Sequence, residues 1–168
     1  MNYLDHGDWH KDLLRIMAQR MRPTCFIELG LGGTPSIHSV SEHCGVAYGV
    51  DRYKSPCEAP PNRILVEMTT DQFFADVAPG IPPPELVFID ADHSKESVLR
   101  DLANVAAICA DNCVVVLHDT FPPGINHTAP DFCGDAYLVP GMIEWEHVTL
   151  PFPPGVTICR LKPRSLCE

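Results

Sequence analysis

The chain has 168 residues, of which 45% are hydrophobic and 20% are charged, a composition typical of one globular domain. The net charge of −10 and the scattering of only 12 lysine and arginine residues argue against a surface that binds nucleic-acid phosphates. No apolar run approaches the roughly 20 residues of a membrane-spanning helix, so we expect no membrane partner.

The amino-terminal residues and the cysteines indicate a cellular compartment. Residues 1–20 mix charges of both signs without the apolar run of a signal peptide, which predicts an amphipathic helix in a cytoplasmic protein. The 8 cysteines form no C-x-x-C pair, and several lie in apolar contexts such as TCFIEL and GVTICRL. We therefore expect reduced, buried thiols rather than disulfides or a zinc site.

Apolar segments of strand length alternate with segments of helical periodicity along the chain. The pattern predicts, in order, a helix over 8–21, a strand over 24–30, a helix over 34–43, strands over 46–51 and 63–68, a helix over 70–77, a strand over 85–92, a helix over 94–110, a strand over 113–119, a short helix near 133–144, and closing strands over 147–152 and 155–161. Such alternation predicts a doubly wound, Rossmann-like α/β fold with a mostly parallel seven-stranded sheet and an antiparallel C-terminal hairpin. We expect a single domain over 1–168, with an N-terminal helical segment at 1–23 and a core at 24–162.

The segment FIELGLGGTPS, at residues 26–36, indicates a binding site at the end of the first strand. Glycines at 30, 32 and 33 free backbone N–H groups and let a ligand lie against the main chain. Asp51 ends the second predicted strand, where a carboxylate can accept both hydroxyls of a ribose. Ligands of doubly wound folds bind outside the carboxyl ends of the strands. The combination predicts a nucleoside site.

Two nucleoside ligands compete for this site. The dinucleotide fingerprint G-x-G-x-x-G, counted from Gly30, requires a glycine where the chain has Pro35. Glu28 would face a pyrophosphate unfavourably, but it would suit the ammonium group of S-adenosylmethionine, which carries no phosphate. The residues favour S-adenosylmethionine, and an NAD-dependent oxidoreductase is the poorer alternative.

These motifs resemble those of a known family. ELGLGG with GVD resembles the cofactor site of class I S-adenosylmethionine-dependent methyltransferases. FIDADHSKESVLRDL, CVVVLHDTF and FCGDAYLVP are similar to the small single-domain branch that includes macrocin-type sugar O-methyltransferases and cephalosporin-hydroxylase-like proteins. The resemblance covers residues 24–162. It implies a metal-assisted methyltransferase that methylates a hydroxyl of a small polar acceptor.

The resemblance also implies site residues. It assigns to the cofactor Glu28, Gly30, Gly32, Gly33, Ser36, Asp51, Arg52, Thr69 and Asp90. It places a divalent cation, Mg²⁺ or Mn²⁺, at Asp90 and Asp119, with Asp92 as the candidate further ligand. It places the proton acceptor at His93, or at His118 if that residue is not a ligand. Metal-dependent relatives present two oxygen ligands after the fifth strand, whereas this chain has His118 before Asp119, and imidazole suits Mn²⁺ or Zn²⁺ better than Mg²⁺.

Several alternatives stay open. The loop at 121–135 shapes the acceptor site, or a second subunit of a homo-oligomer completes it, or no acceptor is methylated. One rival function is a non-methylating, hydroxylase-like metal enzyme that uses Asp90, His93, His118 and Asp119. Another rival is a non-catalytic module that binds S-adenosylmethionine.

Overall fold

A computed structural model describes residues 9–33, 35–53 and 60–161 of the chain. The helices and strands are, in chain order, α1 (Trp9–Met21), β1 (Cys25–Leu29), α2 (Ile37–Val40), β2 (Val46–Asp51), β3 (Arg63–Glu67), α3 (Thr70–Gln72), β4 (Leu86–Ile89), α4 (Lys95–Ile108), β5 (Val114–His118), β6 (Glu146–Leu150) and β7 (Val156–Arg160). Residues 1–8, 34, 54–59 and 162–168 of the predicted domain lie outside the described residues.

The seven strands form one sheet in the order β3-β2-β1-β4-β5-β7-β6. Strands β1 to β5 pair in parallel, and β7 runs antiparallel to both β5 and β6. The predicted fold class is therefore confirmed. The chain leaves β1 towards β2 on one side and returns to β4 on the other, so the carboxyl ends of β1 and β4 flank the switch point where such folds bind ligands.

Two apolar clusters cover the faces of the sheet. Side chains alternate along β1, so Ile27 packs in one cluster and Phe26 in the other. The first cluster contains the inward face of α4, with Val98, Leu102 and Val105 buried as the helical spacing predicts. The second cluster contains the buried residues of α1 and α2. The two clusters thus cover both faces of the central strands, whose carboxyl ends form the edge at which a ligand can bind.

Some predicted helices are shorter or differently wound than expected. The helix predicted over 34–43 consists of the four residues of α2 and a 3₁₀ turn at Ser41–His43. The helix predicted near 133–144 is a 3₁₀ helix over Ala136–Gly141, and Pro140 inside it has no N–H to donate to an α-helical ladder. The segment Phe73–Val77 after α3 is π-helical.

Four of the six described cysteines are buried, and Cys44 and Cys109 are partly buried. None of the six described cysteines is disulfide-bonded, and Cys57 and Cys167 lie outside the described residues. Burial raises the pKa of Cys25 and Cys159 to about 12, which keeps these thiols protonated. Among the described helices, none combines the length and apolarity needed to cross a membrane.

Candidate active site

A cavity of about 570 Å³ lies at the carboxyl ends of the parallel strands. Six residues predicted to bind the cofactor line it, namely Gly30, Gly32, Asp51, Arg52, Thr69 and Asp90. The predicted metal and catalytic residues Asp92, His93, His118 and Asp119 also line it. The structure therefore brings residues from the ends of five strands to one cavity, whereas Glu28, Gly33 and Ser36 are not among its lining residues.

Asp51 organises the glycine loop that follows β1. Its Oδ2 accepts hydrogen bonds from the backbone N–H groups of Leu31 and Gly32, at 2.8 and 3.3 Å. Its Oδ1 accepts from the N–H of Tyr53 at 2.9 Å. Gly30 has φ +85°, and a Cβ at this position would collide with the backbone of Asp90. The loop therefore needs glycine where β1 passes β4, and Asp51 holds the loop against the end of β2.

Glu28 lies beneath the loop rather than in the cavity. It is 1% exposed, and its two oxygens accept hydrogen bonds from the N–H groups of Ser36 and Ile37 at 2.8 and 2.5 Å. Burial raises the pKa of Glu28 to about 8, although the two backbone N–H groups favour its charged form. Ser36 is also buried, and its Oγ has no hydrogen-bond partner among the described residues. Contact of either side chain with a ligand stays a prediction.

The far end of the cavity is formed by the turn before α3 and the first turns of α4. Thr69 caps α3, accepting from the N–H of Gln72, while the side chain of Gln72 accepts from the N–H of Thr69. Arg100 forms an ion pair with Asp71 at 2.9 Å and thereby joins α4 to α3. Ser97 and Arg100, three positions apart on one helical face, line the cavity. The sequence motifs do not identify Ser97 or Arg100 as site residues, although their three-residue spacing after DADHS predicts that both lie on one helical face.

Two aspartates and two histidines form a compact cluster at the ends of β4 and β5. His118 Nδ1 lies 3.0 Å from Asp90 Oδ1 and 3.5 Å from Asp119 Oδ2. His93 Nε2 lies 3.2 Å from Asp119 Oδ2 and 3.7 Å from Asp90 Oδ1. Each carboxylate thus faces both imidazoles. The pairing of β4 with β5 brings the two strand ends together, as the sequence predicts.

The opposite charges of this cluster shift the pKa values of His93, His118 and Asp90 in the direction of an ion pair. The hydrogen bond to Asp90 is the main cause that raises the pKa of His93 to about 9. Burial opposes the charged form of His118, but Asp90 and Asp119 outweigh burial and raise its pKa to about 10. Burial likewise disfavours the charged form of Asp90, yet the two histidines hold its pKa well below the usual range. In the absence of another cation, these shifts favour the charged form of both imidazoles.

The same cluster provides a donor set that fits a metal ion. Asp90, His93 and Asp119 each offer one ligand atom, and these atoms lie within 4.8 Å of one another. Asp119 has φ +58°, a left-handed conformation that aspartate tolerates better than most residues. Asp92 lies outside this group, and its carboxylate accepts from the N–H of Ser94 at 2.9 Å. A ligand role for Asp92 stays a prediction.

His10 of α1 also lies beside this cluster. Its ring centroid is 4.4 Å from that of His118 and 5.8 Å from that of Phe88, on which it stacks. No ligand spacing in the sequence singles out His10, because only the packing of α1 against the sheet brings it to His118.

A second cavity of about 640 Å³ adjoins the first. It shares Arg52, Ala91, Asp92 and His93 with the first cavity. Its other lining residues are Ser94, Thr128, Pro130, Asp131, Gly134 and Asp135. The loop at 121–135 therefore forms one wall, and His93 stands at the junction of the two cavities.

Comparison with known proteins identifies relatives of this fold. Residues 13–120, more than half of the chain, match a family described as a methyltransferase domain. No curated protein sequence matches the chain.

Solved structures of low sequence identity share the architecture. Cofactor-bound Rv0187 from MTB has a TM-score of 0.72 and 15% identity, over 94% of this chain and 82% of that chain. SAH-bound methyltransferase PaMTH1 from Podospora anserina has a TM-score of 0.71 and 16% identity, over 94% and 80%. The O-methyltransferase TomG from Streptomyces achromogenes, in complex with SAM, has a TM-score of 0.72 and 16% identity, over 94% and 81%. At these identities, the likeness shows the fold.

Proposed function

Because the chain belongs to the methyltransferase domain family, we propose that it transfers a methyl group from S-adenosylmethionine to a hydroxyl of a small polar acceptor. One observation carries the proposal: a single cavity joins the glycine loop and Asp51 to the cluster of Asp90, His93, His118 and Asp119. TomG, a structural neighbour, is an O-methyltransferase crystallised with SAM, and PaMTH1 is a methyltransferase crystallised with SAH, which supports the choice of donor and of oxygen as the target.

The cavity offers a position for each part of the methyl donor. Asp51 lies at the end of β2, where it would accept hydrogen bonds from the ribose hydroxyls. The turn at 68–71, with Ser97 and Arg100 opposite, would enclose the adenine. Gly30 and Gly32 would let the methionine portion pass close to the backbone. The transferable methyl group would then lie near His93 and the two aspartates.

The Asp–His cluster supplies groups for activating the acceptor. Asp90 and Asp119 would hold a divalent cation, a role that fits their carboxylate oxygens and the short separation of the donor atoms. When bound, such a cation would lower the pKa of the acceptor hydroxyl. With both carboxylates bound to the cation, they would no longer stabilise the protonated form of His93. Its Nε2 could then accept the hydroxyl proton. The acceptor oxygen would take the methyl group from sulfur, leaving S-adenosylhomocysteine.

The acceptor would enter through the second cavity. This cavity meets the first at His93, and its side chains are mainly carboxylates, hydroxyls and one guanidinium. Its described lining residues include no phenylalanine, tyrosine or tryptophan, so a polar acceptor fits it better than a flat aromatic one. Contribution of a second subunit to this site stays a prediction.

Calorimetric titration of the purified, metal-free protein with S-adenosylmethionine tests the proposal. We expect micromolar binding with S-adenosylmethionine and none with NAD under the same conditions. Turnover would then be sought with hydroxylated small molecules in the presence of Mg²⁺ or Mn²⁺. No binding of S-adenosylmethionine with or without these cations would reject the proposed function.

The candidate metal ligands also support a second candidate function. A metal-dependent enzyme that transfers no methyl group could use Asp90, His93 and Asp119, because their donor atoms already converge. It would bind a divalent cation but not S-adenosylmethionine. A titration with Mn²⁺ alongside the one with S-adenosylmethionine therefore separates the two functions.

A further inference from the structure

Residues 132–136, which we call the clamp segment, contact His93 on both its ring and its backbone. His93 Nδ1 is hydrogen-bonded to the carbonyl oxygen of Phe132. The carbonyl oxygen of His93 accepts from the N–H groups of Asp135 and Ala136, at 3.1 and 3.0 Å. The ring and the main chain of one residue are therefore held by one short segment that lies about forty positions later in the sequence.

The chemistry of these partners determines which nitrogen of the His93 ring carries hydrogen and which one faces the two aspartates. A carbonyl oxygen can only accept a hydrogen bond, so Nδ1 of His93 must be the nitrogen that carries hydrogen. In the neutral ring the lone pair then resides on Nε2. That atom faces Asp119 at 3.2 Å and Asp90 at 3.7 Å, and His93 lines both cavities.

Gly134 allows the clamp segment to approach so closely. It has φ +53°, a conformation that favours glycine. A Cβ at this position would collide with the carbonyl oxygen and the Cβ of His93. Any larger residue at 134 would therefore push the segment away from His93.

Asp135 fastens the clamp segment to the start of α4. Its Oδ1 accepts from the N–H of Lys95 at 2.6 Å, and its Oδ2 lies 3.4 Å from Lys95 Nζ. Lys95 follows His93 by two positions and is the first residue of α4. The side chain of Asp135 thus anchors the segment next to the residue that the segment holds.

We propose, on the premise of the proposed function, that Gly134 and Asp135 are positioning residues that fix the His93 ring so that Nε2 faces the reacting groups. Neither residue touches the acceptor hydroxyl in this role. Both act through the hydrogen bond from His93 Nδ1 to the Phe132 carbonyl. Without it the ring could rotate and present the wrong nitrogen.

Nuclear magnetic resonance of protein labelled with ¹⁵N-histidine tests the positioning role without any acceptor. The wild-type protein should show a slowly exchanging Nδ1–H signal that the His93→Gln substitution removes. Asp135→Ala should speed the exchange of this proton at least tenfold, and Gly134→Ala should do the same or abolish the signal. Asp135→Asn retains an oxygen that can accept from Lys95, so it should preserve most of the protection. Asp76→Asn, an exposed substitution that lines neither cavity, is the control and should leave the exchange unchanged.

Two results would overturn the proposal. One is a wild-type spectrum without a protected His93 Nδ1–H signal, and the other is unchanged exchange in both Asp135→Ala and Gly134→Ala. Near-ultraviolet circular dichroism of each variant checks that the fold is retained, and Asp135→Ala keeps the test decisive if Gly134→Ala does not fold.

Titration of the same samples with S-adenosylmethionine distinguishes this proposal from the proposed function. We expect Asp135→Ala to bind S-adenosylmethionine within about twofold of wild type, because Asp135 does not line the donor cavity. Failure of the wild type to bind S-adenosylmethionine would reject the proposed function while leaving the spectroscopic result intact. Once an acceptor is found, Asp135→Ala should lower kcat with little change in KM for the donor, and a change confined to KM would contradict a positioning role.

Discussion

Glu28 and Ile37 are joined by a 2.5 Å hydrogen bond from the backbone N–H of Ile37 to the carboxylate, in the interior of the protein. The other carboxylate oxygen accepts from the N–H of Ser36, whose own side chain forms no cap on α2. Glu28 therefore replaces the missing cap and ties the end of β1 to the start of α2. These two hydrogen bonds therefore hold together the two ends of the glycine loop that connects β1 to α2.

Glu28→Ala should lower the free energy of unfolding by about 2–4 kcal/mol, because it leaves two buried N–H groups without acceptors and creates a cavity. Glu28→Gln retains one acceptor oxygen and should cost less. Urea unfolding at pH 7 measures both values. Glu67→Ala, at an exposed position of β3, is the control and should stay within about 0.5 kcal/mol of wild type. Equal urea midpoints for Glu28→Ala and wild type would contradict the capping role.

Asp101 should make the stability of the protein depend on pH. This residue of α4 is 1% exposed, and its Oδ1 has no hydrogen-bond partner among the described residues. Burial raises its pKa from 3.8 to about 6, although a hydrogen bond from Thr70 opposes the shift. Because the folded state holds the proton more tightly than the unfolded state, the stabilising effect is complete below pH 3.8. It is lost as the pH rises through about 6.

Asp101→Asn should remove this dependence, since the amide is neutral at every pH and can still accept from Thr70. The variant should gain stability relative to wild type as the pH rises from 4 to 7.5, by about 1–3 kcal/mol in total. Urea unfolding at several pH values provides the comparison, with the exposed substitution Asp76→Asn as the control. Wild-type and Asp101→Asn curves that stay parallel would exclude Asp101 as the cause.

The fold and the location of the cavity can be predicted from the sequence because both follow from local residue patterns. Strand-length apolar runs predict the ends of β2, β4 and β5, and they therefore predict that Asp51, Asp90 and Asp119 lie at one edge of the sheet. The element that covers a side chain at the end of a strand depends on long-range packing, so the local sequence does not reveal it. Glu28 shares the face of β1 that carries Phe26, and therefore points under α2.

Contacts between segments that are far apart in the sequence also cannot be predicted from these patterns. The carbonyl of Phe132 holds His93 across 39 positions, and backbone groups leave no residue-type signal. Arg100 and His10 reach the site because α4 and α1 pack against opposite faces of the sheet. Helical spacing indicates which residues share a face, but only the packed structure shows what that face meets.

Asp51→Ala should weaken S-adenosylmethionine binding about 10–100-fold, or about 1.4–2.7 kcal/mol. The substitution removes a predicted acceptor for the ribose and also frees the N–H groups of Leu31 and Gly32. Calorimetry with S-adenosylmethionine measures the change, and Asp76→Asn, remote from the lining residues, serves as the control. Affinity equal to that of wild type would remove Asp51 from the donor site.

Divalent-cation binding should depend on Asp90 and Asp119, and the same experiment tests the predicted ligand role of Asp92. Asp90 and Asp119 belong to the group whose ligand atoms converge, whereas Asp92 accepts from the N–H of Ser94 outside that group. After chelation, the wild type should bind Mn²⁺ as followed by electron paramagnetic resonance. Asp90→Ala and Asp119→Ala should each weaken this binding at least tenfold, because a lost carboxylate removes both a ligand and a negative charge. Asp76→Asn, an exposed substitution outside both cavities, should stay within about twofold of wild type and is the control. Loss of Mn²⁺ binding in Asp92→Asn would make Asp92 a further ligand, and wild-type binding in both Asp90→Ala and Asp119→Ala would reduce Asp90 and Asp119 to partners of the two histidines.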